Sequence, residues 1–96
     1  MAERIFLEVV MPVFLEPSSR WLIEDRLDEA LKAARLGQVT GGGGGGGTSN
    51  IDVEVTAVND ALAVIRDVFE EFREYECARG VVVNQYEPAK VVHRLE

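Results

Sequence analysis

Cysteine is almost missing from this chain, with Cys77 the only one in 96 residues. A lone thiol closes no intramolecular disulfide, and alone it holds neither an iron-sulfur cluster nor a cysteine-rich zinc ion. Histidine is equally scarce: His93 stands alone, with no acid or nucleophile placed beside it in the sequence to make it a general base. Basic residues are few, ten against 17 acids for a net charge of -7. Affinity for a polyphosphate backbone comes largely from lysine and arginine releasing counterions, so no nucleic-acid partner is expected. No apolar run approaches the roughly 20 residues of a membrane span, so no membrane partner is expected either. The length supports one core, hence a single domain over residues 1–96. The N-terminus, Met1-Ala2-Glu3, has an acid where a secretory signal carries positive charge, and no small-residue cleavage site follows. With the single thiol, this favours a reducing, cytoplasmic location.

What remains is an apolar fraction of 47% with 28% charged residues, the balance of an ordinary globular domain. Between Arg4 and Leu15 the apolar odd positions Ile5, Leu7, Val9 and Met11 predict a strand, whose even face mixes Phe6, Glu8 and Val10. Pro12 limits its ladder. Leu22, Ile23, Leu27, Ala30, Leu31 and Ala34 then recur at helical spacing, with Ser18 or Ser19 as N-cap and Gly37 as the left-handed C-terminal residue. Ile51, Val53, Val55 and Ala57 alternate with Asp52, Glu54 and Thr56, as in an antiparallel strand with one wet side. A second helix is predicted from Asn59 or Asp60 to between Glu74 and Glu76, burying Ala61, Leu62, Ile65, Val68, Phe69 and Phe72. Val81–Tyr86 reads as a further strand before Pro88, and the tail from Lys90 to Leu95 is a possible short fifth strand.

The order is β-α-β-β-α-β, which resembles the ferredoxin-like superfold: an α+β sandwich with a four-stranded antiparallel sheet and two helices on one face. Gly41 to Gly47, followed by Asn50-Ile51-Asp52-Val53-Glu54-Val55, also resembles small uncharacterised bacterial proteins with a glycine-rich central hairpin.

This fold carries many unrelated functions, so function must come from particular residues. Cys77 has no partner for a Cys-x-x-Cys metal motif, and the third strand offers Asp52 and Glu54 where RNA-binding members place basic and aromatic residues. Glu16-Pro17-Ser18-Ser19-Arg20 lacks the glycine of an acylphosphatase-like loop. The glycine run ends in Gly47-Thr48-Ser49 without the lysine of a phosphate loop and joins strand to strand, so a passive hairpin tip is expected. Trp21 is expected to pack at the sheet edge, Cys77 to be inert beside Glu74 and Glu76, and His93 to lie on the surface.

Two surfaces remain as candidates. Glu8, Asp52 and Glu54 share the open sheet face and are the candidate set for a divalent cation, in a cation-binding protein or a metal-assisted enzyme. Phe6 and Val10 on that face, and Glu70, Glu71 and Glu74 at the crowded acidic end of the second helix, are the candidate contacts of a non-catalytic interaction or regulatory module. That module would meet a protein partner or a second copy of itself. No catalytic residue is assigned and no cofactor is expected.

Overall fold

Alternating apolar residues make β1 (Ile5–Met11) the middle of a five-stranded sheet in this computed structural model, which describes residues 3–95. Met1, Ala2 and Glu96 lie outside the described residues. Leu7, Val9 and Met11 are buried on one face of β1, while Phe6 on the other is exposed. The remaining strands are β2 (Gly37–Gly45), β3 (Thr48–Val55), β4 (Val82–Gln85) and β5 (Val91–Arg94), in the order β2-β3-β1-β4-β5 with every neighbouring pair antiparallel. The tail therefore does pair, as an edge strand against β4.

Helix α1 (Pro17–Ala33) turns Ile23, Leu27 and Leu31 inward at a spacing of four, and α2 (Val58–Glu71) contributes Ala61, Leu62, Ile65, Val68 and Phe69. These join Leu7, Val9, Ile51, Val53 and Val83 in one apolar core. Leu22, expected in the buried stripe of α1, is 68% exposed, because one residue is a 100° rotation away from Ile23.

The helix ends differ from the sequence reading. Glu16 is the N-cap of α1, and Pro17 opens the first turn, where its missing N–H costs no helical bond. The left-handed residue after α1 is Arg35 (φ 57°), not Gly37. Leu36 N–H donates to Leu31 O and Arg35 N–H to Lys32 O, the double bond pattern of a Schellman cap. Gly37 is instead required by the sheet, since a Cβ there would stand 1.9 Å from the carbonyl oxygen of Glu54. Helix α2 stops at Glu71, short of the expected Glu74 to Glu76, and a 3-10 turn follows at Glu76–Ala78.

The glycine run is the main correction. Gly41 to Gly45 are paired residue for residue with Asp52 back to Thr48, so they form a strand rather than a passive tip. Only Gly46 and Gly47 turn the chain, and their φ values of 60° and 83° suit a two-residue type I′ hairpin. A side chain at Gly42 would meet the Glu24 carboxylate at 2.9 Å, and one at Gly44 would meet the Phe14 ring at 3.1 Å. The backbone oxygens of Asn50 at 3.0 Å and Thr48 at 3.2 Å crowd the same two positions, so a side chain at either needs its neighbours to shift. Upstream the register shifts between Val39 and Gly41, and the Val39 N–H donates to Asp28 Oδ1 at 3.0 Å.

Candidate functional site

The pairing register brings the open-face residues together row by row, since directly opposed residues share a face. Glu8 lies between Asp52 on β3 and Asn84 on β4, Phe6 opposes Glu54, and Val10 lies between Asn50 and Val82. Each carboxylate of the candidate cation set already has partners. Glu8 Oε1 accepts from Asn84 Nδ2 at 3.1 Å and from the Tyr86 hydroxyl at 2.8 Å. Glu54 accepts from Gln38 and is ion-paired with Arg4, and Asp52 Oδ1 accepts from Asn50 Nδ2 at 3.3 Å. Donating to Glu8 holds the Tyr86 phenol above its ordinary range. Among the described residues no three His, Cys, Asp or Glu side chains gather closely enough to hold a metal ion. The cation reading rests on the Glu8–Asp52 opposition alone.

Phe6 is 60% exposed and Val10 half-buried on this face. The acidic contacts at the end of α2 divide into two kinds. Glu71 is held by Arg26 of α1 through two bonds of 2.9 and 2.8 Å, which keep its carboxyl below the usual range. Glu70 pairs with Arg73 at 2.9 Å. Glu74 and Glu76 have no cationic partner among the described residues.

Glu76 adjoins a feature that the sequence did not reveal. Val13 to Leu15, the first turns of α1 and the segment after α2 enclose a groove of about 390 Å³. Its floor includes Ile23 and Cys77, both buried, and its walls include Phe14, Leu22, Phe72 and Tyr75, with Glu76 on the rim. Phe14 is 54% exposed and Tyr75 63%, so large apolar surface faces water at the mouth. The Phe72 and Tyr75 rings are 6.3 Å apart and tilted, a favourable aromatic geometry that keeps one wall in shape. Ser49, fully buried, accepts the Leu15 N–H at 2.7 Å and ties the opposite wall to β3. Burial pushes the Cys77 thiol up, so it stays protonated and a poor nucleophile.

Two other side chains depart from their expected places. Trp21 is 55% exposed on α1 rather than packed at the sheet edge, and His93 is half-buried in β5 with Nε2 3.0 Å from Gln85 Oε1. No family model matches the chain, and neither does any curated protein or solved structure.

Proposed function

We propose that this domain is a non-catalytic protein-interaction module that receives its partner at the groove beside the end of α2. One observation carries the reading: Phe14, Leu22 and Tyr75, each more than half exposed, surround a single recess with an apolar floor. Large apolar side chains clustered around a concavity mark binding surfaces, whereas scattered ones do not. The buried, protonated thiol offers no nucleophile there. We also propose that the domain is of the ferredoxin-like βαββαβ type with β5 added, a reading supported by the contiguous order β2-β3-β1-β4.

The test is affinity capture from the source cell with wild-type protein and with Leu22→Asn, Tyr75→Ser and Phe6→Ser. The reading expects a protein, identified by mass spectrometry, that the first two changes release and Phe6→Ser retains. A captured set identical for all four proteins defeats the groove as the docking surface. A set lost only with Phe6→Ser moves docking to the open sheet face.

A further inference from the structure

Taking the groove as the docking surface, we infer that its occupant is a basic amphipathic helix of a partner protein. The mouth is too open for a small molecule to be the natural fit. Small-ligand sites bury roughly 70–90% of what they hold, but here Leu22 is 68% and Tyr75 63% exposed. A ligand seated between them would keep much of its own surface in water. A helix instead brings flanking residues that cover Phe14, Leu22 and Tyr75 while its apolar stripe reaches the floor at Ile23 and Cys77. The volume of about 390 Å³ suits the anchors of one or two helical turns rather than a long chain.

Charge selects the kind of helix. The groove is bordered by the C-terminal end of α2, which has no basic residue in its last turn to offset the macrodipole. Glu76 stands on the rim, and neither it nor Glu74 has a cationic partner among the described residues. Glu70 and Glu71 are already neutralised by Arg73 and Arg26. A second copy of this chain is a poor occupant, because each copy carries a net charge of -7 and like charges would be pressed together. Lysine or arginine flanking an apolar stripe meets both requirements.

The probe is a synthetic helix of about 14 residues, with leucine at i, i+3, i+4 and i+7 and lysine on the opposite face. A glutamate version and a scrambled lysine version without the stripe accompany it. Binding is read from calorimetric titration and from backbone amide shifts. The lysine helix is expected to bind and to shift Leu22, Phe72 and Tyr75. Leu22→Asn and Tyr75→Ser should each weaken it by about tenfold. Glu74→Gln with Glu76→Gln should weaken it roughly threefold at low salt and flatten its salt dependence. Phe6→Ser should change nothing. Leu22 and Tyr75 are mostly exposed, so both variants should keep the wild-type urea midpoint; Leu22→Gln or Tyr75→Asn serves if either does not.

Equal binding of the glutamate helix, still lost with Leu22→Asn, would overturn the basic occupant and leave the docking surface intact. Equal binding of the scrambled helix, or indifference to Leu22→Asn, would overturn both. No binding of the lysine helix at millimolar concentration would overturn the occupant, and the capture experiment would then decide the surface.

Discussion

Alanine placed at different glycines of β2 should move stability in opposite directions. At Gly37 the new Cβ would stand 1.9 Å from Glu54 O and 2.9 Å from both Glu54 C and Val55 Cα. All three are backbone atoms of the neighbouring strand, so no rotamer change relieves the clash. Overpacking of this kind costs about 1–3 kcal/mol, and the upper end applies where backbone must move. At Gly41 and Gly43 the nearest atoms are side-chain oxygens at 3.9 and 3.5 Å, ordinary contact distances. There alanine removes only unfolded-state freedom and should stabilise by about 0.4–1 kcal/mol per site. For a chain of this size 3 kcal/mol is a large part of a total of about 5–14 kcal/mol, equivalent to at least 10 °C in Tm. The assay is the urea midpoint of Gly37→Ala, Gly41→Ala and Gly43→Ala, with unchanged m-values showing that the same surface unfolds. Gly37→Ala within 0.5 kcal/mol of wild type, or Gly43→Ala destabilised by more than about 1 kcal/mol, would refute the pairing assigned to β2.

Ser49→Ala removes the bond that the part-buried Leu15 N–H donates to the Ser49 hydroxyl at 2.7 Å, and should lower stability by about 0.5–1.5 kcal/mol, measured by urea unfolding. Asp28 is held below its ordinary range chiefly by its hydrogen bond with Lys32, and also by the Val39 N–H. Its folded pKa lies below the unfolded one, so its contribution is present above the unfolded value and is lost as pH falls through the folded value. Asp28→Asn should therefore flatten the acid limb below about pH 4 in a pH series of Tm. Millimolar magnesium, calcium or manganese should leave Tm unchanged, because Glu8, Asp52 and Glu54 are each engaged with neighbours. A rise that Asp52→Asn removes would restore the cation reading at the Glu8–Asp52 pair.

The elements whose burial follows a simple period were legible in the sequence. The alternation of Ile51, Val53 and Val55 and the spacing of Ile23, Leu27 and Leu31 report directly which face is dry. The glycine strand was not, because glycine has no side chain to carry a period and looks like a flexible tip. Its pairing is imposed by β3 and by the contacts of Glu24 and Phe14 over Gly42 and Gly44. Helix ends failed for a related reason. Arg35 accepts a left-handed conformation that a glycine two residues on was expected to take, because Gly37 is needed where the chain passes Glu54.

The groove was illegible because Phe14, Leu22, Phe72 and Tyr75 come from three separate segments and meet only in the folded chain. Leu22 and Phe72 looked like core residues, and a helical stripe alone does not say where its edge meets water. The ion pairing at the acidic end of α2 was only partly legible, because charges counted along one helix do not show what reaches it from another. Asp67–Glu71 and Glu70–Glu74 are like-charge pairs at helical spacing, but Arg26 reaches across from α1 to Glu71 and Arg73 turns back to Glu70. A carboxylate already held in the fold has little field left to draw in a partner. Of the carboxylates without a cationic partner among the described residues, Glu76 is the one on the rim of the groove, next in the chain to the exposed Tyr75, and its field is therefore the one a docking partner meets first.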